Sequence, residues 1–234
     1  MAPRLGGCVA MGDVMARKKL RLGVLLSGGG RTFQNILDRA AAGRLDVEPA
    51  VVVASRECRG LELARQAGVP AHLVVKKDFA DVESYSRPIT AILDGAGVDL
   101  VLMAGFLSFW RIPDHYAGRV VNIHPSLLPS FGGHGMFGHH VHEAVLAAGV
   151  KVSGCTVHFV TNEYDVGPII LQRPVPVLEG DTPDLLAARV FEQECEAMPE
   201  ALQLLADGRV HVEGGVTRIA PLARRRGMRS QPRR

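Results

Sequence analysis

The chain of 234 residues is long enough for one large domain. Its composition, 47% hydrophobic and 22% charged, excludes a disordered chain, a collagen or a coiled coil as the main structure. Residues 1–19 carry +3 and residues 224–234 carry +6, so the overall +3 leaves −6 on residues 20–223, an acidic body that argues against binding a nucleic-acid backbone as the main task.

Aromatic residues are only 5% of the chain, so Val, Leu, Ile and Ala must fill the core, as in buried parallel strands flanked by helices. Leu20–Ser27 is a short apolar run ending in glycines and predicts a buried strand. Thr32–Ala42 sets Phe33, Ile36, Leu37 and Ala40 at the spacing of one helical face. Glu48–Ala54 predicts a second strand, Gly60–Ala67 a short helix and Ala71–Val75 a third strand. Asp81–Asp94 follows as a helix in which Pro88 argues for a kink or a later start. Asp99–Met103 and Val120–Ile123 are the fourth and fifth strands. Beyond them Pro125, Pro129, Gly132, Gly133, Gly135 and Gly138 crowd a long loop. A helix near His139–Ala148, strands at Val152–Val160 and Ile169–Val177, and a long helix over Thr182–Leu205 complete the order. Asp181 is the expected N-cap of that last helix, with Pro183 in its first turn and Gly208 as its stop.

Alternating strands and helices imply right-handed crossovers. The expected fold is therefore α/β: a doubly wound, mostly parallel sheet with helices on both faces. No linker interrupts it, so a single domain over 20–212 is expected, with 1–19 a flexible extension and 213–234 a basic, disordered tail. Cys8, Cys58, Cys155 and Cys195 are scattered without a CxxC pair, which signals neither a disulfide framework nor a zinc site. No run of 18 apolar residues and no signal-peptide pattern occurs, which points to a cytoplasmic protein without a membrane partner.

Three places carry candidate chemistry. The turn Ser27-Gly28-Gly29-Gly30-Arg31-Thr32 joins the first strand to the first helix. Its glycines bring bare N–H groups to a helix start, where anions bind, at the carboxyl end of a strand. Phosphate is the preferred ligand and a ligand-free turn the alternative. The turn lacks the Lys of a P-loop and, at Phe33, the third glycine of a dinucleotide fingerprint. In Asn122-Ile123-His124-Pro125, Asn122 and His124 project to one side of a strand end, a fixed amide and imidazole able to donate to a developing oxyanion. A structural role for that pair weighs equally. Asp165 lies in the polar loop Asn162–Pro168, where on its own it reads as an Asp serving a turn. His134, His139, His140 and His142 form a dense group, with His139 and His142 able to share a helical face. No Cys or Asp completes a metal pattern beside them, so no metal is expected.

Four segments stand in order: VLLSGGGRTFQNILD (Val24–Asp38), AGF (Ala104–Phe106), NIHPSLLP (Asn122–Pro129) and GCTVHFVTNEYDVGPIIL (Gly154–Leu171). Together they resemble the phosphoribosylglycinamide formyltransferases, or glycinamide ribonucleotide transformylases, of the formyltransferase superfamily. The likeness covers roughly 20–212. It implies formyl transfer from 10-formyltetrahydrofolate to the amine of 5′-phosphoribosylglycinamide in purine biosynthesis, with small-molecule substrates only. Nucleic acid and membrane are not implied as partners, and the likeness is compatible with a homodimer. Asn122, His124 and Asp165 would be the catalytic three, with His124 protonated and His158 supporting them. Gly30, Arg31 and Thr32 would hold the 5′-phosphate, and Glu194 would contact the amine substrate. Leu107, Ser108, Phe109 and Trp110, together with Asn122 and the loop Thr161–Asp165, would border the folate. The resemblance also suggests a cis peptide before Pro129. The sequence departs from the common bacterial pattern at Arg31-Thr32, at Val82 and Ser108, where folate-tail arginines can stand, and in a longer loop over Phe131–His140. A formyltetrahydrofolate hydrolase and a non-catalytic phospho-ligand binding protein are the alternatives.

Overall fold

A computed structural model of the chain describes residues 18–221. Nine strands and five α-helices occur among them. The order is β1 (Leu20–Leu26), α1 (Arg31–Ala41), β2 (Val47–Ala54), α2 (Arg59–Gln66), β3 (Ala71–Leu73), α3 (Val82–Gly95), β4 (Leu100–Met103), β5 (Val120–His124), α4 (His139–Ala147), β6 (Val152–Phe159), β7 (Ile169–Pro176), α5 (Pro183–Ala206), β8 (Val210–Glu213) and β9 (Val216–Ile219). Seven strands form one sheet in the order β3-β2-β1-β4-β5-β6-β7. The first five are parallel, and β6 and β7 join antiparallel. Both halves of the chain share this sheet, as the absence of a linker predicts.

The central strands are apolar on both faces because helices cover both. One core layer joins Leu22, Val24 and Leu26 of β1 to Phe33 and Ile36 of α1, Leu61 of α2, Val141 and Val145 of α4, and Leu186 and Val190 of α5. The opposite layer sets Leu25, Val51 and Val101 against Tyr85, Ile89 and Leu93 of α3, with Trp110 and Tyr116. A sheet sealed in this way keeps its strand ends fixed, and the strand ends carry the site.

Several local expectations are corrected. Pro88 does not delay the start of α3: the helix opens at Val82 and runs through the proline. A capping box offsets the lost bond, because Ser84 N donates to Asp81 Oδ1 at 2.7 Å and Asp81 N donates to Ser84 Oγ at 3.2 Å. Thr182, not Asp181, caps α5, its hydroxyl accepting from Leu185 N. Asp181 instead accepts from Leu178 N and pairs with Arg189, which holds its carboxyl down at about 2. The third strand ends at Leu73 rather than Val75.

Residues 213–221, expected in the tail, belong to an ordered end. β8 and β9 form a hairpin whose two-residue loop, Gly214-Gly215, has both φ positive (57° and 78°), the geometry that suits the twist of a tight hairpin. Lys18, assigned to the flexible extension, lies 3.6 Å from Asp99. Of the two expected tails, residues 1–17 and 222–234 lie outside the described residues.

Candidate active site

The sheet order reverses between β1 and β4, and doubly wound sheets bind ligands in the crevice at such a point. A cavity of about 470 Å³ opens there. Among its lining residues are Gly30 and Thr32 of the glycine turn, Phe106 beyond β4, Asn122 and His124 of β5, and Asp165. These residues therefore share one cavity, although 135 positions separate Gly30 from Asp165.

The glycine turn owes its shape to close packing. Gly30 precedes α1 with φ 71°, and a Cβ there would stand 2.7 Å from Gly60 Cα. Only glycine meets both conditions without strain. α1 has no acidic residue in its first turn. Its free N–H groups and the Arg31 guanidinium thus face the cavity uncompensated by a carboxylate of their own helix. Arg31 is held by Phe191 of α5, its guanidinium carbon 4.0 Å from the ring centroid. Ser27 braces the turn from below: its hydroxyl lies 2.6 Å from Ser55 Oγ and accepts from Leu107 N at 2.9 Å. One hydroxyl so ties the glycine turn to the segment expected to border the folate.

At the other end, register sets the polar groups. In the β5–β6 ladder Asn122 pairs with His158 and His124 with Thr156. His158 is 1% exposed, and burial pushes its pKa below the ordinary range. The neutral ring donates from Nδ1 to Phe159 O at 2.8 Å, which leaves Nε2 as an acceptor. Nε2 faces Asn122 Nδ2 at 3.4 Å. One amide hydrogen of Asn122 is thus occupied by His158, and the other is free for the cavity.

His124 is 3% exposed, with Nε2 2.8 Å from Phe131 O and Nδ1 3.5 Å from Asp165 Oδ2. Both ring nitrogens face acceptors, an environment that suits an imidazole carrying two hydrogens. Asp165 is set by strain and contact together. Its φ is +55°, a region Asp tolerates better than most residues. Its Oδ2 accepts from Gly133 N at 2.9 Å, and Oδ1 lies 3.7 Å from His158 Nε2. Gly167 lets this loop close, for a Cβ there would stand 1.8 Å from Phe159 O.

The loop after β5 is clamped from the sheet. Thr156 Oγ1 donates to Ser126 O at 2.7 Å and accepts from Leu128 N at 3.0 Å, while Gln172 Nε2 donates to Leu128 O at 2.9 Å. The Leu128–Pro129 peptide is cis, as the resemblance suggests.

The expected folate border is present but uneven. Leu107 is exposed and Trp110 is buried, its indole N–H donating to Thr90 Oγ1 at 3.2 Å. Phe109 packs on Tyr164 at 5.6 Å between centroids. Asn162 zips the two borders together: its Oδ1 accepts from Ile112 N at 2.8 Å and its Nδ2 donates to Ile112 O at 3.0 Å. Ser108 lines the cavity, whereas Val82, at the start of α3, does not. Glu194 lines it from α5, and burial pushes its carboxyl up to about 7 against the pull of Arg31. Of the histidine group, His139 and His142 line the cavity, while His134 packs against Tyr164 at 5.4 Å. Among the described residues no three His, Cys, Asp or Glu side chains cluster as a metal set. No helix among them is long and apolar enough to cross a membrane.

Sequence reasoning missed the Phe131 carbonyl, the Gly133 amide and Phe191, and it named Ser27 only as part of the turn, without its bracing role. The first two act through backbone, which leaves no side-chain signal. Phe191 was visible only as one more apolar residue of a helix.

A family model described as formyl transferase matches residues 20–202. Phosphoribosylglycinamide formyltransferase from Escherichia coli (strain K12) is 40% identical over 190 residues, covering 80% of this chain and 87% of that protein. A crystal structure of glycinamide ribonucleotide transformylase 1 from Symbiobacterium toebii superposes with a TM-score of 0.82 at 43% identity, over 87% of this chain and 95% of that one. The trifunctional purine biosynthetic protein adenosine-3 of Drosophila melanogaster is 40% identical over 200 residues. The chain spans 14% of that relative's length and 19% of its human counterpart's. The chain therefore belongs to the formyl transferase family and, within it, to the phosphoribosylglycinamide formyltransferases.

Proposed function

We propose that this protein transfers the formyl group of 10-formyltetrahydrofolate to the amine of 5′-phosphoribosylglycinamide. The observation that carries this reading is the placement of Asn122, His124 and Asp165 in the same cavity as an N–H-rich, acid-free helix start.

Gly30, Arg31 and Thr32 hold the phosphate, with Arg31 supplying a charge-assisted contact and Phe191 keeping it in place. Anchoring the phosphate orients the distant amine and lowers the entropic barrier to attack. The amine nitrogen attacks the formyl carbon, and the carbonyl oxygen becomes an oxyanion. The free Asn122 amide hydrogen donates to that oxygen, and the positive charge of the His124 imidazolium stabilises it. His158, neutral and buried, fixes the Asn122 amide rather than touching substrate. Asp165 stabilises the His124 imidazolium, accepts the proton that the amine sheds and returns it to N10 of the leaving folate. The bond between N10 and the formyl carbon breaks as the oxyanion collapses, which leaves tetrahydrofolate and the formylated amide. Glu194 contacts the amine substrate, and Leu107–Trp110 with Thr161–Asp165 border the folate.

Absorbance-monitored folate turnover with and without the amine substrate tests the reading. Turnover should require the amine and yield one formylated product per folate. Formate release that proceeds equally without the amine would mark a hydrolase instead.

A further inference from the structure

Arg56 brings to the glycine turn a cation that the reaction as described leaves unused. It is exposed and stands two residues past the end of β2, the strand beside β1. Its root is fixed, because the preceding Ser55 donates its N–H to Leu26 O at 3.2 Å and sets its hydroxyl 2.6 Å from that of Ser27. Its head is fixed as well, because Arg56 Nε donates to Ser27 O at 2.5 Å. That carbonyl belongs to the residue just before Gly28. The guanidinium therefore stands beside the glycine turn although it comes from the neighbouring strand. Holding a long exposed side chain in one place costs entropy, and one hydrogen bond to a carbonyl returns little of it in water.

What that bond leaves over is chemically specific. With Nε occupied, the two terminal nitrogens form the free edge of the guanidinium, a planar pair of donors that matches two oxygens of one phosphate. Among the described residues no carboxylate oxygen lies within 4.0 Å of the Arg56 guanidinium. Its neighbour in the chain, Glu57, turns to Arg65 instead, at 3.7 Å. The turn also has room beside it: a Cβ on Gly28 or Gly29 would meet nothing within 4 Å, and both glycines line the main cavity. Arg31 enters the same place from α1, seated on Phe191. Two guanidiniums from different elements thus flank one group of backbone N–H donors. One is fixed by a carbonyl and the other by a ring, so neither charge is spent on a carboxylate. A doubly charged phosphate can take both.

We propose that Arg56 is a specificity-determining residue that donates to the phosphate of the amine substrate from the β2 side of the glycine turn, alongside Arg31; this rests on the functional reading above. The Ser27 carbonyl aims the guanidinium, and its free edge meets the phosphate.

The test sets Arg56→Ala and Arg56→Lys beside Arg59→Ala. Arg59 is the exposed arginine that opens α2, so its removal takes the same charge from the same region without touching the Ser27 carbonyl. The ligands are the phosphorylated amine, its dephosphorylated form, and inorganic phosphate as a competitor. R56A should raise the KM for the phosphorylated amine and the inhibition constant of inorganic phosphate about three- to tenfold. Neither kcat, nor the KM for formyl folate, nor kcat/KM for the dephosphorylated amine should follow. R56K keeps the charge and should recover part of the loss, and KM should rise less steeply with added salt in R56A than in the wild type. These two readouts separate contact with the ligand from support of the turn. A turn that had lost only its Ser27 contact would bind phosphate equally badly in R56K and would keep the salt dependence. The proposal is overturned if R56A leaves both constants unchanged, if R59A raises them as much, or if R56K binds phosphate no better than R56A. A wild type that formylated neither amine would instead bring down the functional reading. A wild type that turns over the phosphorylated amine, with R56A indistinguishable from it, would bring down the Arg56 assignment alone.

Discussion

The parallel strands and the antiparallel β6–β7 pair furnish the cavity by different means. On the parallel side, β1 ends in a turn that offers backbone N–H groups, one cation held against Phe191 and almost no further side-chain chemistry. On the antiparallel side, β6 and the loop after it offer a buried imidazole and a carboxylate whose positions are over-determined. His158 is fixed by register and by the Phe159 carbonyl, and Asp165 by the Gly133 amide and by a positive φ. β5 lies between and supplies Asn122 and His124 to the seam. The contrast teaches a division of labour. Binding an anion needs several donors converging on one place, whereas moving a proton needs few groups held to within fractions of an ångström.

Breaking the antiparallel side should have the largest effect. His124→Ala and Asp165→Asn should each cut kcat by about a hundred- to ten-thousand-fold while the thermal midpoint stays close to wild type, as steady-state kinetics and unfolding scans would show. Unchanged turnover in both would remove their roles. Breaking the parallel side should act on binding. Arg31→Ala should raise the KM for the phosphorylated amine by about ten- to a hundredfold and leave kcat nearly alone. Loosening the support of that cation should do less: Phe191→Leu should raise the same KM by about two- to fivefold, since it removes a cation–π contact and keeps the charge.

Glu194 sharpens the comparison through pH. Its carboxyl is raised from 4.5 to about 7, so between those values the unfolded chain releases a proton that the folded protein keeps. Stability from this group is full below about 4.5, is lost as pH rises to about 7, and is flat above. Glu194→Gln does not titrate, so its advantage in unfolding free energy should grow across that window by on the order of 3 kcal/mol. A difference that stays the same from pH 4 to pH 8 would contradict the burial argument.

Much of this was legible in residues whose signal is local. The apolar runs of β1, β2 and β4 and the one-faced pattern of α1 needed only periodicity, and the parallel sheet followed from their alternation with helices. Asn122 and His124 could be paired from strand geometry alone. Asp165 could not: taken by itself it was an Asp in a turn, and only the fold brings it to 3.5 Å from His124. The Phe131 and Gly133 contacts were invisible because backbone groups carry no residue identity. The β8–β9 hairpin, by contrast, had a readable sign in Gly214-Gly215 between two short alternating runs, and charge in the segment beyond drew it into the tail. Pro88 misled because propensity speaks before capping and burial are known.

The most direct test of the account sets Asp165→Asn beside Arg31→Ala in one assay, with kcat and the KM for the phosphorylated amine measured for each. The account predicts that the first change lowers kcat and spares KM, and that the second raises KM and spares kcat. If both variants lost the same parameter, binding and proton transfer would not be divided between the two sides of the cavity, and the account would fail.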